Sequence, residues 1–548
     1  MQQRRLLSVT SSSSSPRNNC SRSRIFRSSR RNYRNSLSQF LPYTDTTNLL
    51  TNDGIVEGVW MFCRHGDRAP GRPMSPLHRR DEEASFWISK LPFPNSAAAF
   101  QALSQRFPLY ILPGTNQGKF IDVTRNPFGF LTQNGLVHLK ETGHRFFNRY
   151  NHHGHHLPEQ LDWRWKEAQD FLSVWDVTVY STNYLRTVMS VQSFLDGLLG
   201  TECYTPTQTR ELDFTVTKES PVPDHSWSPD PEQDKDVLVP VRVRDVSNDP
   251  LNAFDRNPDL IGELVSEVML SESFRAYDGS AAPLAARLAN VLPGLVRPFR
   301  SDFSSRSPSG INWVEAADHF VCRKAHGLSY CAFSDFEHDD RVEQTLEAMS
   351  VPTLTHLAWR FRQWYQNDRL LAAIAAPPLR EVADQLQQTP QLGASERRPF
   401  VIYSCHDITI LGLLYGIHAD FLLTNDQSSD WRFWPPYGSH LVFELVRVQD
   451  DNDVMRDSDT SHVVRVLLNG RPVLTVSKDE DGKKETPPVY AGSGPERMLS
   501  VKDFLKLVSD LEERGEHDYD VLLNRVRQRT NQDKTQKQKQ AEAISERP

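Results

Sequence analysis

Residues 55–70 read IVEGVWMFCRHGDRAP, and this stretch predicts both the fold class and the place of the functional site. Its first half is rich in β-branched and aromatic residues, which indicates a buried strand that ends at a loop. In open α/β folds, ligands bind at the carboxyl ends of such strands. Arg64 and Arg68 flank His65 there, and their planar cationic forks match phosphate oxygens. We therefore expect a phosphate site, with Gly66 letting the backbone approach the anion.

A second candidate segment lies far downstream. FVIYS at residues 400–404 reads as a buried parallel strand, and His406 and Asp407 follow it before an apolar helix. An adjacent histidine and aspartate at another strand end can place one donor and one acid on the same phosphate. We expect this pair to approach the anion from the side opposite the first loop.

A third segment lies between these two. Residues 174–180 alternate as a strand, and residues 181–183, Ser-Thr-Asn, supply the side chains that cap helix N-termini. Arg186 would then lie in the first turn of a helix, where free N–H groups and the helix dipole favour anions. Either an exposed arginine or a further phosphate ligand fits this pattern.

Taken together, these segments resemble the histidine acid phosphatases, the acid phosphatase branch of the phosphoglycerate mutase-like superfamily. The matching motifs occur in the family's order and span roughly residues 55–511: RHGDRAP at 64–70, LTQNG at 131–135, STNYLRT at 181–187, HD at 406–407 and PPYGSHLVFEL at 435–445. Two positions depart from the family pattern. Asn183 stands where an acidic residue is usual, and Tyr180 stands where many members have arginine.

The resemblance implies an α/β fold, with a central mostly parallel sheet flanked by helices and a smaller, mainly helical inserted cap domain. It also implies a two-step hydrolysis of phosphate monoesters, in which His65 becomes a phosphohistidine and Asp407 donates a proton to the leaving group. The phosphate ligands would be Arg64, Arg68, Arg186 and His406. This arrangement requires no metal and no other cofactor.

Two other functions share this pattern. A phosphoglycerate mutase-type phosphotransferase would use the same nucleophilic histidine, and a catalytically silent binding protein could keep the same fold. The expected partner is a small phosphorylated substrate, and the resemblance leaves sugar phosphates, lysophospholipids, phosphotyrosine and inositol phosphates open. The sequence carries no readable code for that choice, nor for the oligomeric state.

Composition divides the chain into five parts. Residues 1–52 form a predicted disordered basic leader, 53–202 and 396–525 the two parts of the catalytic core, 203–395 the inserted cap region, and 526–548 a disordered charged tail. Residues 71–130, rich in proline and aromatics, would pass over the rim of the pocket. Amphipathic helical runs are expected at 258–274, 282–292 and 353–376.

The first 44 residues contain nine arginines and no aspartate or glutamate. This composition is typical of transit peptides, which predicts import into mitochondria or another organelle; a disordered basic tail on a cytoplasmic protein is the alternative. The rest of the chain carries 54 Lys and Arg against 70 Asp and Glu, so nucleic acid is not an expected partner. No stretch of 18 apolar residues exists, so we expect no membrane-spanning helix.

Cysteines and a histidine cluster complete the set of candidate sites. Six cysteines in 548 residues do not define a disulfide framework, although Cys322 and Cys331 are close enough in sequence to bridge. The family's cysteine pair near the chain end is missing, which favours a reducing compartment. The four histidines at positions 152, 153, 155 and 156 could suggest a metal site, but a solvated turn is the commoner reason for such a cluster.

Overall fold

A computed structural model gives the fold of most of the chain. The predicted leader, the histidine cluster and the charged tail lie outside the residues that it describes. The described residues are 55–92, 103–112, 127–151, 168–199, 239–296, 310–392, 397–423, 432–447, 462–473, 477–478, 484–485 and 498–516.

A nine-stranded sheet forms the centre of the described structure. Its strands are β1 Ile55–Arg64, β2 Leu109–Ile111, β3 Trp175–Ser181, β4 Val241–Val243, β5 Arg398–Cys405, β6 His440–Arg447, β7 His462–Leu468, β8 Arg471–Pro472 and β11 Leu499–Ser500. They lie in the order β11-β7-β6-β1-β5-β3-β4-β2, with β8 paired to β7. All ten residues of β1 are buried, as its apolar sequence predicts. The short strands β9 Ser477–Lys478 and β10 Lys484–Glu485 pair with each other.

The sheet is mixed, with a parallel half and an antiparallel half. Strand β5 runs parallel to both β1 and β3, and in the register Arg64 faces Cys405 while Ser181 faces Ser404. The loops that follow these three strands therefore leave the sheet at one edge. Strands β6, β7, β8 and β11 are antiparallel to their neighbours. The predicted α/β class is confirmed, and the three motif-bearing segments meet as expected.

Helices flank the sheet. They are α1 Arg80–Ile88, α2 Gln133–Asn151, α3 Ala168–Val174, α4 Leu185–Leu198, α5 Ala253–Arg256, α6 Pro258–Leu270, α7 Glu272–Ser280, α8 Ala282–Val291, α9 Trp313–Ala325, α10 Asp340–Tyr365, α11 Asp368–Gln388, α12 Asp407–Gly416, α13 Asp420–Leu423 and α14 Val501–Glu516. Helix α2 packs against α4, and α11 packs against α12 and α14. None of the helices in the described ranges has the length and apolarity that crossing a bilayer requires.

The main buried cluster lies between the sheet and helices α2 and α4. Leu139 and Phe146 of α2 and Phe194 of α4 join Val179 and Ile402 of the parallel strands in it. Burying such side chains contributes roughly 1.5–3 kcal/mol each before the cost of ordering the chain. This packing fixes the two helices whose N-terminal ends border the site.

The range predicted to be the inserted cap is mainly helical where it is described, but it also supplies β4 to the sheet. The amphipathic run at 353–376 is not one helix. It spans the end of α10 and the start of α11, and the break comes at Asn367, whose side-chain oxygen accepts the Leu370 N–H at 3.0 Å. Asparagine is favoured as such a cap because it satisfies an N–H that the new helix leaves free.

Two elements within residues 71–130 were not predicted, namely α1 and β2. Helix α1 buries Glu83 completely, and this carboxylate accepts from the N–H groups of Met74 and Ser75 and from Arg323 of α9. A two-residue turn joins β7 and β8 in an antiparallel hairpin. Asn469 and Gly470 have φ angles of 50° and 80°, as a two-residue turn of this kind requires.

Candidate active site

His65 lies directly after β1 and is buried. Its main-chain N–H donates to the carbonyl oxygen of Cys405 at 3.2 Å, which ties the first motif to the second strand end. Its ring Nδ1 lies 2.9 Å from the carbonyl oxygen of Gly66. Since a carbonyl only accepts, Nδ1 carries the proton in the neutral ring, and Nε2 keeps its lone pair. Nε2 therefore has the lone pair that a nucleophile needs.

Burial lowers the pKa of His65 well below its usual value, and the positive charges of Arg186, Arg64 and Arg68 lower it further. Both causes disfavour the imidazolium form. The neutral ring, whose Nε2 carries a lone pair, is therefore favoured.

Gly66 and Gly135 allow two segments of backbone to approach each other closely. A Cβ atom on Gly66 would lie 2.8 Å from the backbone of Gly135, and a Cβ on Gly135 would lie 2.4 Å from the carbonyl oxygen of Asp67. The first turn of α2 thus packs directly on the loop that carries His65. This close approach requires glycine at both positions, and the predicted approach of Gly66 to an anion stays a prediction.

Arg64 is held from three directions. Its guanidinium lies 2.7 Å from Oδ2 of Asp407, donates to the carbonyl oxygen of Pro435 at 2.5 Å, and stands 4.3 Å above the ring of Tyr437. Cation–π contact and charge-assisted hydrogen bonds both fix a guanidinium plane. The loop at residues 434–439 therefore positions this predicted phosphate ligand.

Arg68 pairs with a residue of the inserted region. Its guanidinium contacts both oxygens of Asp318 on α9, at 2.9 and 3.1 Å, and Asp318 also accepts the Gly71 N–H at 2.6 Å. Burial opposes the charge on Arg68, but the neighbouring carboxylate raises its pKa well above the usual value. Helix α9 therefore fixes the arginine on the far side of His65.

Arg186 is the second residue of α4. Its guanidinium stands 4.1 Å above the ring of Tyr184, and one of its nitrogens lies 3.4 Å from Nδ1 of His406. The prediction that residues 181–183 cap this helix is wrong. The cap is Tyr184, which makes no side-chain capping bond, because Thr182 and Asn183 are engaged elsewhere.

His406 has a contact at each ring nitrogen. Nε2 lies 3.2 Å from the hydroxyl of Thr182, and Nδ1 faces Arg186. Since a guanidinium only donates, Nδ1 accepts from Arg186, and in the neutral ring the proton is on Nε2, which faces the Thr182 hydroxyl. If a phosphate oxygen replaced Nδ1 as the acceptor of Arg186, Thr182 could donate to Nε2, and Nδ1–H could donate to the same phosphate oxygen. Burial first, and then the three nearby arginines, lower the pKa of His406, which favours the neutral ring.

Asp407 is the first residue of α12. Its Oδ2 accepts from Arg64 and from the indole N–H of Trp434 at 2.9 Å, and its Oδ1 accepts the Ile408 N–H at 2.9 Å. These three donors fix the orientation of the carboxylate, which lies beside Arg64.

The two departures from the family pattern belong to a buried polar cluster behind the site. The side-chain oxygen of Asn183 accepts from Asn252, whose amide also donates to Asp249, each at 3.1 Å. Burial raises the pKa of Asp249 to about 7. The guanidinium of Arg244 stacks on the ring of Tyr180 at 3.9 Å. A cation is therefore present beside residue 180, although residue 180 itself is not an arginine.

The structure thus brings all six predicted site residues together. Residues that sequence reasoning did not assign also contact them, and the clearest are Thr182, Tyr184, Asp318, Trp434 and Tyr437. Tyr437 lies in the matched PPY motif, which was a usable signal. Asp318 could not be assigned, since nothing in the sequence pairs it with Arg68.

The cysteines near the site are not nucleophiles. Cys63, Cys322, Cys331 and Cys405 are free thiols and all are buried, so the possible bridge between Cys322 and Cys331 is not formed. Burial raises the pKa of Cys63 to about 12. Across the described ranges, no three His, Cys, Asp or Glu side chains are grouped as metal ligands.

Comparison with known proteins gives one family match. The family model described as histidine phosphatase superfamily (branch 2) matches residues 55–280 and 311–469, which include every predicted site residue. A comparison with curated proteins finds no match.

Several solved structures are similar to this chain at low identity. The phytase of Citrobacter braakii is 15% identical, with 83% of this chain and 98% of that chain covered and a TM-score of 0.41. The phytase of Klebsiella sp. ASR1 is 14% identical, with 85% and 97% covered and a TM-score of 0.43. The multiple inositol polyphosphate phosphatase of Bifidobacterium longum is 12% identical, with 86% and 96% covered and a TM-score of 0.44.

Proposed function

The chain belongs to branch 2 of the histidine phosphatase superfamily and is a phosphomonoester hydrolase of the histidine acid phosphatase type; from this premise we propose that His65 is its nucleophile and Asp407 its proton donor. One observation supports the proposal most directly. Nδ1–H of His65 is committed to the Gly66 carbonyl, which leaves Nε2 available in a pocket that also holds Arg64 and Arg186.

In the first step, the lone pair on Nε2 of His65 attacks phosphorus and forms the N–P bond while the ester P–O bond breaks. The proton of Asp407 goes to the departing alkoxide, which is too basic to leave unprotonated at a useful rate. In the second step, water attacks the phosphohistidine, Asp407 takes a proton from that water, and the electron pair of the N–P bond returns to the ring. Inorganic phosphate is then released.

Four donors stabilise the transferring group in this proposal. Charge on a phosphoryl group in flight is spread over its three equatorial oxygens, so positioned cations and N–H groups supply most of the catalysis. Arg64, Arg68, Arg186 and His406 surround His65 for that purpose. Asp407 then pairs with Arg64 only until phosphate arrives to compete for the guanidinium.

The proposal is tested by trapping the intermediate. Protein mixed with a ³²P-labelled monoester and denatured in alkali should retain label on His65 that acid then releases, as a phosphoramidate does. His65→Ala should abolish both label and turnover, whereas His78→Ala, at an imidazole 66% exposed on the surface, should change neither. Turnover without label on His65, or activity surviving in His65→Ala, would exclude the nucleophile. Phosphoryl transfer to a second glycerate in place of water would show the mutase-type alternative.

Substrate and cellular location belong to the same proposal. The substrate is a small phosphate monoester, with lysophospholipids and sugar phosphates as the two classes to separate. We also propose that residues 1–52 direct the chain to mitochondria or another organelle, on the strength of their arginine-rich, acid-free composition. A fluorescent fusion of the full chain should localise to that organelle, and one lacking residues 1–52 should not.

A further inference from the structure

Two aromatic residues contact the catalytic groups on the side where a leaving group departs. The indole N–H of Trp434 donates to Asp407 at 2.9 Å, and the ring of Tyr184 meets the ring of His406 edge-on with centroids 4.8 Å apart. Both residues are only partly buried. The walls next to the departing oxygen are therefore aromatic.

Further ring contacts connect these two residues. Trp434 packs edge-on against Phe361 at 5.0 Å, Phe361 packs on Trp364 at 4.5 Å, and Trp364 contacts Phe254 at 6.4 Å. The residue after Phe254, Asp255, accepts the hydroxyl of Tyr184 at 3.0 Å and so completes the series. We call these five residues, Tyr184, Phe254, Phe361, Trp364 and Trp434, the aromatic arc.

The arc has a buried base and an accessible face. Phe361 and Trp364 are each only 4% exposed, while Tyr184, Phe254 and Trp434 are partly exposed. Aromatic side chains offer large apolar contact area with little loss of side-chain freedom on binding. A hydrocarbon or aryl group attached to the ester oxygen could therefore bury apolar surface here.

Arginines beside the nucleophile are already paired with carboxylates. Among the described residues, Arg68 pairs with Asp318, Arg72 with Glu315, and Arg244 with Glu381. A second phosphate on the leaving group that approached Arg68, Arg72 or Arg244 would have to compete with the carboxylate of that pair. Breaking a buried pair leaves an uncompensated charge, which is costly.

We propose that the aromatic arc binds the leaving group and that this hydrolase prefers singly phosphorylated esters with an apolar leaving group over multiply phosphorylated or polyhydroxylated ones. The inference rests on the proposed function, because it places the leaving group beside Asp407. It selects, of the two classes named above, esters of lysophospholipid type over sugar phosphates.

A homologous series of alkyl phosphates tests the preference. Ethyl, butyl and hexyl phosphate have leaving alcohols of similar basicity, so differences in kcat/KM report contacts with the chain. Each buried methylene contributes up to about fourfold, and we expect kcat/KM to rise by at least about tenfold from ethyl to hexyl phosphate. Glucose 6-phosphate and myo-inositol hexakisphosphate should be poorer substrates than hexyl phosphate. A flat series, or a preference for either of these two, overturns the inference.

A matched pair of variants locates the effect. Phe254→Asn should flatten the chain-length dependence, so that kcat/KM falls more for hexyl phosphate than for ethyl phosphate. Phe336→Asn removes a phenylalanine that is 37% exposed on the loop before α10, and should leave the dependence intact. If both variants flatten the chain-length dependence of kcat/KM equally, or if neither does, the assignment is contradicted.

Inhibition by alkylphosphonates gives a readout that needs no variant. These molecules are not hydrolysed, and their inhibition constants against nitrophenyl phosphate should fall from ethyl- to hexylphosphonate at concentrations below micelle formation. If ethyl and nitrophenyl phosphate are both left uncleaved, the proposed function itself fails. If they are cleaved but the phosphonate series is flat, only the substrate preference fails.

Discussion

Asp407 Oδ2 lies 2.7 Å from a guanidinium nitrogen of Arg64, so the proposed proton donor and a proposed phosphate ligand are paired with each other in the absence of substrate. The pair is mostly shielded, with side-chain exposures of 6% for Arg64 and 20% for Asp407. A phosphate dianion entering the pocket competes for the same guanidinium. Substrate binding should therefore weaken the contact between Arg64 and Asp407.

Replacing Asp407 should affect esters according to the basicity of their leaving groups. In Asp407→Asn, kcat for alkyl phosphates should fall by about 10²–10⁴, because no acid protonates the alkoxide. Nitrophenyl phosphate should lose far less, since nitrophenolate leaves without a proton. Steady-state kcat values for both esters check this. Equal slowing of the two esters would remove Asp407 from the role, and Asp259→Asn, at an exposed carboxylate in the first turn of α6, serves as the control.

Thr182 should act as a positioning residue for His406. Thr182→Val keeps the shape but removes the hydroxyl that faces Nε2, so nothing orients the ring or donates to Nε2 when Nδ1–H is needed for a phosphate oxygen. Loss of one such hydrogen bond corresponds to about a tenfold weaker inhibition by inorganic phosphate and a similar fall in kcat/KM. Thr182→Ser should restore both values. If the phosphate inhibition constant of Thr182→Val equals that of the parent while Tm falls, Thr182 is only structural.

The close packing of Gly135 on the loop of His65 predicts a steric effect. The Cβ of Gly135→Ala would lie 2.4 Å from the Asp67 carbonyl oxygen, so the loop must move and both kcat and Tm should fall. Gly279→Ala in α7 is the matched control, because its Cβ meets no atom within 4 Å. There alanine should leave activity unchanged and stabilise the helix by up to about 1 kcal/mol. Similar outcomes in the two variants would contradict the packing argument.

Stability should depend on pH through buried histidines. Burial lowers the pKa of His440 from 6.5 to about 4, and His65 and His406 shift in the same direction. The unfolded chain therefore takes up protons first as pH falls. The contribution from His440, about 3 kcal/mol, is present above about pH 6.5 and is lost as pH falls to about 4.

Urea unfolding at the two ends of this range measures the effect. Glu444, whose pKa is about 2 in the fold, also begins to lose its contribution below the ordinary value of 4.5, and comparing the parent with His440→Gln at both pH values removes this shared change. In His440→Gln the free energy of unfolding should change less between the two pH values, whatever its absolute size. An unchanged difference would mean that His440 does not titrate as described.

The sequence predicted the strand ends and the residues beside them because local chemistry determines both. β-Branched and aromatic runs placed β1, β3 and β5 to within about one or two residues, and motifs with fixed spacing identified Arg64, His65 and Arg186. An Asn-Gly pair such as Asn469-Gly470 also indicates a turn, since both positions need positive φ. Each of these signals lies within a few residues of the feature that it predicts.

The sequence did not predict features that depend on residues far away in the chain. Helix α1 shows little amphipathic pattern, and Glu83 is buried because it meets Arg323, which lies 240 residues away in sequence. The capping prediction at residues 181–183 failed because Thr182 instead faces His406, 224 residues away. Asp318 fixes Arg68 across 250 residues. Tertiary contacts override local propensity in all three cases.

The contacts between the His65 loop and α9 have a consequence for how the protein is made. Asp67 contacts His326 and Arg68 contacts Asp318, and both partners leave the ribosome about 250 residues later. His406 and Asp407 follow later still. In the nascent chain, the pocket around His65, the proposed nucleophile, is therefore incomplete through most of synthesis. Hydrolytic competence should appear only once β5 has emerged and inserted between β1 and β3, so fragments released before that point would be inert.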